Sequence, residues 1–171
     1  MRIGGGAVSI ADVTDRVARD LGFVRDFWLN EIRNNRAFHL GSGLAANVGN
    51  LGHIQLFNPA ASGITVLVGQ IDAGVQASRS IHLREHNVAL TTLVGTGRNL
   101  DIGEGNSLAE IRTVNNAVEL GTQLSAYRLE VELMIQVGPK WKHELAEGEG
   151  ILIVNNLAND GVTANYWWTE F

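Results

Sequence analysis

The chain has 171 residues, a formal net charge of −5 and no cysteine, and only 18% of its residues are charged. Its length fits one domain with a proper core, and an acidic balance without a basic stripe argues against nucleic-acid binding. The missing cysteines exclude a disulfide framework, a thiol nucleophile and a cysteine-based zinc site. No apolar run approaches the roughly 20 residues that cross a bilayer, and the start "MRIGGGAVSI" lacks a signal peptide's apolar core, so we expect a soluble chain made in a cytosol.

The first predicted element is a short amphipathic helix within "SIADVTDRVARDLG". Val13, Val17 and Leu21 recur at intervals of four residues, which places them on one helical face. Gly22 follows the last of them and is a typical stop.

The next stretch, "FVRDFWLNEIRNNRAFHLGSGLAANVGNLG", has aromatic and aliphatic residues without a sustained period. We expect an extended arm here, and we divide the chain into a helix and arm at residues 1–50 and a sandwich at residues 51–171. Two roles for such an arm remain open. It wraps a neighbouring subunit, or it closes one end of its own domain.

From His53 onward, short strand patterns alternate with turn residues. The predicted strands carry the segments "HIQLFN", "ITVLVGQIDAGV", "SRSIHLRE", "VALTTLVG", "LAEIRTV", "YRLEVELMIQV", "ILIVNN" and "VTANYWWTEF". The segment "ANDG" between the last two is predicted to be a hairpin loop. About eight strands with little helix between them disfavour a parallel α/β architecture. The predicted fold class is therefore mainly β, an antiparallel β-sandwich of jelly-roll type with a short N-terminal helix and an extended arm.

The segment "HLREH" spells H-x-x-E-H, the motif of inverted zinc proteases. Such an enzyme needs both histidines on one face of a helix. Here His82 and Arg84 alternate with Ile81 and Leu83, which is typical of a strand with one polar face. In a strand, His82 and His86 lie about 13 Å apart, too far to hold one metal. We therefore predict polar-face histidines at a strand end and no zinc site.

Other patterns of chemistry are weaker still. The five histidines are scattered, with no H-x-H pair of the kind that jelly-roll metal enzymes use. The Gly-rich segments "GSGLAANVG" and "GTGRNLDIGEG" lack the ending of a phosphate-binding loop and are interpreted as tight turns. Asp101 and Glu104 are candidates for a weak calcium site, but their spacing favours a solvated loop. We predict no catalytic residue, no cofactor and no metal.

Aromatic residues cluster near the end of the chain. In an alternating strand, Tyr166 and Trp168 share one face, and Trp167 lies on the other. One face should be core, and the other exposes a tryptophan that anchors an interface or stacks on a sugar. We favour core plus subunit interface over carbohydrate binding.

The order of "HIQLFNPAASGITVLV", "SIHLREHNVALTTLVGTGRNLDIGEGNSLAEIRTVNNAVELGTQL" and "HELAEGEGILIVNNLANDGVTANYWWTEF" resembles a family of small bacteriophage virion proteins. Members of that family have a strand ending "NPAGSG", an "LRxxxxAL" stretch, a Gly-rich loop, a "GTQ" segment and an aromatic, acidic C-terminus. The segment "VTDRVARDLG" is also similar to the N-terminal part of phage structural proteins. The chain departs from the family at "AEGEG", where a Pro-Gly turn is usual, and in its long apolar arm. The resemblance implies a jelly-roll module, trimeric and displayed on a virion, without catalysis.

We therefore expect a non-enzymatic capsid cement or decoration protein that is assembled in the bacterial cytoplasm and stabilises the outer shell of the virion. Its expected partners are copies of itself and the major capsid protein, with no nucleic acid and no membrane. The candidate interface residues are aromatic or aliphatic and lie in the arm and near the C-terminus: Phe23, Phe27, Trp28, Ile32, Phe38, Trp141, Trp167 and Phe171. Two alternatives remain, a tail or fibre-associated protein that binds a host receptor or glycan, and a jelly-roll enzyme that uses His82 and His86 with a metal.

Overall fold

A computed structural model describes residues 27–76, 79–101, 103–129, 134–137 and 143–171. The predicted helix around Val13 and Val17 lies outside these ranges, as do Phe23 and Trp141.

The described part of the chain contains one helical segment and twelve β-strands. Residues 27–33 are helical. The strands are β1 (Ala37–Leu44), β2 (Leu51–Phe57), β3 (Val66–Val75), β4 (Arg79–Glu85), β5 (Thr92–Thr96), β6 (Arg98–Asn99), β7 (Glu110–Asn116), β8 (Thr122–Leu129), β9 (Met134–Gln136), β10 (His143–Leu145), β11 (Gly150–Asn155) and β12 (Val162–Glu170). The prediction of a mainly β chain is confirmed.

The strands form two six-stranded antiparallel sheets that pack as a sandwich. Sheet I has the order β10-β3-β12-β1-β6, with β9 also paired to β3. Sheet II has the order β5-β7-β2-β11-β4-β8. The first four strands alternate between the two sheets, and β11 and β12 again lie in different sheets. Within sheet I, the first strand pairs with the last one over the full length of β1.

The core lies between the two sheets, where the inward-facing apolar residues of the strands meet. Residues that point inward are fully buried, among them Ile54 and Ile153 of sheet II and Ile71 and Tyr166 of sheet I. Burial of each large aliphatic or aromatic side chain contributes about 1.5–3 kcal/mol to folding. The core is thus the main source of stability, and both sheets supply it.

The aromatic end of the chain behaves as its alternation predicts. Tyr166 and Trp168 are fully buried in the core, whereas Trp167 lies on the outer face and is partly exposed. The ring of Trp168 stacks on Phe38, with ring centroids 6.2 Å apart and an angle of 27° between the planes. Phe38 is therefore a core residue and not the interface residue that the sequence predicted, because its side chain is already covered by its own domain.

The predicted arm is largely structured. Residues 27–33 are helical, and residues 37–44 form β1, between β12 and β6 in sheet I. The predicted domain boundary at residue 50 thus falls after the first strand of the sandwich. The sequence "AFHLGSGL" does not suggest a strand because two of its outward positions, Gly41 and Gly43, hold glycine, which is common in loops. Its inward positions, Phe38, Leu40 and Leu44, pack in or against the core.

Two further predictions are wrong for the same reason, which is that consecutive segments of the chain belong to different sheets. The segment "YRLEVELMIQV" was expected to be one strand, but β8 belongs to sheet II, whereas Met134–Gln136 pairs with β3 in sheet I. The segment "ANDG" does not close a hairpin, because β11 and β12 lie in different sheets. Alternation within a strand is a local property, but the choice of sheet depends on distant partners.

Candidate functional site

The H-x-x-E-H motif lies on β4 and at its end, and not on a helix. Ile81 and Leu83 are buried in the core, and His82 and Arg84 lie on the outer face, as predicted. The Nδ1 atom of His82 is 2.9 Å from a carboxylate oxygen of Glu119. His82 is therefore engaged by a loop residue and is not directed towards His86.

The other two residues of the motif have separate surroundings. Glu85 lies 3.2 Å from the Nε2 atom of His143 on β10. Burial lowers the pKa of His86, which favours its neutral form. Within the described ranges, no three histidine or carboxylate side chains are placed to hold a metal ion. The motif residues thus do not converge on one point.

A loop at residues 86–91 crosses the outer face of sheet II on its way from β4 to β5. The side chain of Gln55, on the central strand β2, holds this loop in place. Its Nε2 atom donates to the carbonyl oxygens of His86 at 2.7 Å and Val88 at 3.2 Å, and its Oε1 atom accepts from the Leu90 amide at 3.0 Å. Gln55 is fully buried beneath the loop, and all the polar atoms of its side chain have partners.

A second loop, residues 117–121, is fixed on the same face by Arg84. The guanidinium donates to the carbonyl oxygens of Leu120 and Gly121, each at 2.6 Å, and to Glu119 at 2.5 Å. Gly121 has a φ of +74°, and a Cβ atom there would lie 2.1 Å from the carbonyl oxygen of Glu85. Only glycine fits this position. The close approach of Gly121 to the Glu85 backbone therefore fixes the path of the loop together with the hydrogen bonds from Arg84.

His53, fully buried on β2, supports the second loop from below. Its Nδ1 atom lies 3.0 Å from the carbonyl oxygen of Leu51, and its Nε2 atom accepts from the Leu120 amide at 3.3 Å. Burial lowers the pKa of His53, against the opposing effects of backbone hydrogen bonds and the negative charge of Glu119. The ring is therefore neutral and carries its proton on Nδ1, because Nε2 must act as an acceptor.

An apolar groove of about 440 Å³ lies between the two loops. Val88 at its edge is 64% exposed, and Val118 on the second loop is 63% exposed. Valine side chains that are this exposed beside an apolar groove are typical of a surface that contacts another molecule. The groove is lined by His86, Val88, Ala89, Leu90, Thr91, Val114, Asn115, Asn116 and Leu120.

Both edge strands of sheet II carry a β-bulge. The register of β8 skips Leu124, and that of β5 skips Val94. Each skipped residue is a large aliphatic side chain, and both are exposed, at 42% for Leu124 and 46% for Val94. Bulges disturb the row of unpaired backbone groups on which another strand would pair. These edges therefore offer apolar side chains to a partner and resist the addition of a strand.

A smaller polar cavity of about 360 Å³ lies near the end of β4, lined by Glu85, Asn87, His143, Glu144, Leu145, Glu149 and Gly150. One of its carboxylates already accepts a backbone bond, from the Ala146 amide to Glu149 at 2.9 Å. The predicted loop residues Asp101 and Glu104 are both exposed and lie in a different part of the chain. The solvated-loop interpretation of that pair stays a prediction.

The predicted interface residues that lie within the described ranges fall into separate places. Phe27, Trp28 and Ile32 are partly exposed on the helical segment. Phe171 is 49% exposed at the end of the chain, where the guanidinium of Arg36 lies 4.8 Å above its ring. The sequence did not predict the groove, because its residues come from two stretches, 86–91 and 114–120, that are separated along the chain by more than twenty residues.

In the described part of the chain, no helix is long and apolar enough to cross a membrane. Comparisons with protein-family models, with curated proteins and with solved structures find no match to this chain.

Proposed function

We propose that this chain is a virion structural protein, a jelly-roll capsid cement or decoration protein that binds the outer shell through the groove on sheet II. The strand order supports the jelly-roll assignment. Each sheet contains a block of four strands, β1-β12-β3-β10 in one and β2-β11-β4-β8 in the other, and the first four strands of the chain alternate between these blocks. Eight strands divided in this way between two sheets are typical of jelly rolls. Strands β5, β6 and β7 are then an insertion between β4 and β8.

The observation that carries the proposed function is the apolar groove between two anchored loops. Gln55 fixes one wall and Arg84 fixes the other, so the groove is formed before any partner arrives. A preformed site loses less conformational entropy on binding than a flexible one, which favours affinity. Exposed Val88 and Val118 give the partner apolar area to bury, as a contact with a shell subunit requires.

The bulged edges of sheet II fit the same role. A protein present in many copies on a lattice must contact its neighbours without polymerising through open sheet edges. Leu124 and Val94 provide side-chain contacts at edges where the bulges disfavour strand pairing. The trimeric state and the major capsid protein as partner follow from the resemblance to phage virion proteins.

The test has two steps. The first is to count copies of the chain in purified virions by quantitative mass spectrometry, with the major shell protein as the reference. Many copies at a fixed ratio to the shell protein support a cement protein, and a few copies place the chain in the tail. Its absence from the particle contradicts the proposed function.

The second step compares Val88→Lys with Leu157→Lys in binding to particles that lack the chain. Val88 and Leu157 are both exposed. Leu157, however, lies in the loop whose Asn156 amide donates to the Ser80 carbonyl oxygen, at the opposite end of β4 from the groove. We expect Val88→Lys to weaken binding by about tenfold or more, because a lysine would bring a charge into an apolar contact. Leu157→Lys should bind normally. Equal binding by the two variants would contradict the groove as the contact surface.

A further inference from the structure

The outer face of sheet I has a composition quite different from that of the groove. Four adjacent strands place Arg98, His39, Trp167 and Gln70 directly opposite one another in a single row. The next row on the same face contains Gly41, Asn165 and Asp72. Neighbouring strands are about 4.8 Å apart and alternate residues about 7 Å apart, so the two rows form one compact surface.

Trp167 is the centre of this surface. Its ring lies against that of His39, with centroids 4.5 Å apart and planes tilted by 32°. One side of the indole is thus covered by His39, and Gln70 and Asp72 lie on the strand at its other side. Burial lowers the pKa of His39, and the negative charge of Asp72 opposes this effect. Asp72 lies opposite Asn165, two positions before Trp167 along β12.

The polar groups around Trp167 are held in place. The Gln70 amide donates to both carboxylate oxygens of Asp72, at 2.9 and 3.1 Å. The Oδ1 atom of Asn165 lies where a Cβ atom on Gly41 would be, only 2.0 Å away, so the amide lies flat across a glycine. Among the described residues, the buried Nε2 atom of His39 has no hydrogen-bond partner. The amides of Gln70 and Asn165 and the carboxylate of Asp72 therefore present positioned polar atoms beside the indole ring.

We propose that this face, which we call the Trp167 platform, binds a neutral saccharide. The platform consists of Trp167, His39, Gln70, Asp72 and Asn165. The C–H face of a pyranose ring would pack against the indole, whose face carries partial negative charge. Its hydroxyl groups would donate to the Asp72 carboxylate and exchange bonds with the amides of Gln70 and Asn165. Asp72 lies on the strand next to Trp167, whereas Arg98 lies two strands away, so negative charge at the indole disfavours acidic sugars.

The chemistry of the surface favours a sugar over a protein partner. Protein interfaces are depleted in charged residues at their centres, and an aspartate beside the central aromatic would be costly to bury there. Sugar hydroxyls, in contrast, replace the water that solvates the carboxylate. The platform lies on sheet I and the groove on sheet II, so this inference does not depend on the proposed capsid function.

The experiment titrates the full chain with maltotriose, N,N′-diacetylchitobiose, methyl β-galactoside and, as an acidic comparator, sialyllactose. Binding is followed by isothermal titration calorimetry and tryptophan fluorescence. We expect at least one neutral saccharide to bind, and Trp167→Ala to weaken that binding by about tenfold. Trp167→Tyr should retain most of the affinity because it keeps an aromatic face. Phe171→Ala, which removes an exposed aromatic at the end of the chain, should leave it unchanged.

A second variant, Asp72→Asn, keeps the shape of the platform and removes its charge, so it tests the site even if Trp167→Ala fails to fold. It should also weaken binding. The inference is overturned if no neutral saccharide binds the folded chain, if only sialyllactose binds, or if binding survives both Trp167→Ala and Asp72→Asn. The copy number in virions bears only on the capsid function, so the two proposals fail separately.

Discussion

The hydroxyl group of Tyr166 donates a hydrogen bond of 2.7 Å to the backbone carbonyl of Ile54, and this bond joins the two sheets across the core. Tyr166 is on β12 in the centre of sheet I, and Ile54 is on β2 in the centre of sheet II. Burial raises the pKa of Tyr166, so the phenol stays protonated and remains a donor over the ordinary pH range. The contact fixes the distance and register between the sheets, which a purely apolar core would leave to packing alone.

Tyr166→Phe removes this hydrogen bond and keeps the ring. We expect the free energy of unfolding to fall by about 1 kcal/mol, the net contribution of one buried hydrogen bond. Tyr166→Ala should cost about 3–5 kcal/mol, since it also leaves a cavity. Urea denaturation of the three proteins measures both differences. Equal stability of Tyr166→Phe and the natural chain would contradict a role of this bond in joining the sheets.

Glu170 connects the segment that precedes β7 to the last strand. Its carboxylate accepts bonds from the Ser107 hydroxyl, from the Leu108 amide at 3.2 Å, and from the Ala109 amide and the Trp168 indole nitrogen at 3.1 Å each. Glu170→Gln would point an amide donor at other donors, so we expect a loss of about 2 kcal/mol in thermal or chemical unfolding. Glu104→Gln is the matched control, because Glu104 is exposed and its variant should unfold like the natural chain. A similar small effect of both variants would show that the carboxylate does not hold the segment.

Gly121 and Gly49 have nearly the same backbone conformation, with φ of +74° and +76°, but different surroundings. At Gly49, nothing lies within 4 Å of the Cβ position, whereas at Gly121 that position is 2.1 Å from the Glu85 carbonyl oxygen. Gly49→Ala should therefore cost only the strain of a left-handed backbone, about 1–2 kcal/mol. Gly121→Ala adds a clash with the Glu85 backbone and should lower the free energy of unfolding by clearly more. Thermal melting and urea denaturation of both variants measure the difference. If the two variants were equally stable, the loop at residues 117–121 would not be packed as described.

The sequence predicted those features of the fold that depend on alternation along a strand. The burial of Ile81 and Leu83, and the opposite orientation of Trp167 and Trp168, follow from spacing alone. Strand β1 was missed because two of its outer positions, Gly41 and Gly43, are glycine, and at Gly41 the side chain of Asn165 occupies the space that a Cβ atom would need. That requirement comes from a strand more than a hundred positions away, and no local pattern contains it.

The groove was harder still to predict. Gln55 and His53 stand in a strand that alternates regularly, and they occupy its polar face as surface residues would. Both are in fact fully buried, because two loops cross over them. From the sequence alone, a glutamine or histidine on the polar face of a strand is expected to be exposed. Its burial becomes evident only when the structure shows the loops that cross over it. The H-x-x-E-H motif gives the opposite case, in which a local pattern suggests a site that the fold takes apart.

His53 makes the stability of the folded chain depend on pH. Burial lowers the pKa of His53 below its ordinary value of 6.5, with His86 acting in the same direction and Glu119 opposing it. The unfolded chain therefore binds a proton before the folded chain does, and stability must fall as the pH drops through 6.5. The loss is complete below the lowered pKa of the folded state and amounts to about 1.4 kcal/mol for each unit of difference. His39 and His86 have pKa values lowered by burial too, and they add to the same trend.

The variant His53→Gln tests this prediction, since its side-chain oxygen can still accept from the Leu120 amide but cannot titrate. Unfolding by urea at about pH 8 and about pH 5 gives the change in stability for each protein. We expect the free energy of unfolding of the natural chain to fall more between the higher and the lower pH than that of His53→Gln. Any difference between the two proteins at the higher pH reflects the substitution itself and not the titration of His53. Protonation of His53 also removes the acceptor for the Leu120 amide, so acid should loosen the loop at residues 117–121 first. Hydrogen exchange at the Leu120 amide would reveal this directly. If that amide kept its protection at acid pH while the chain remained folded, His53 would not control the loop.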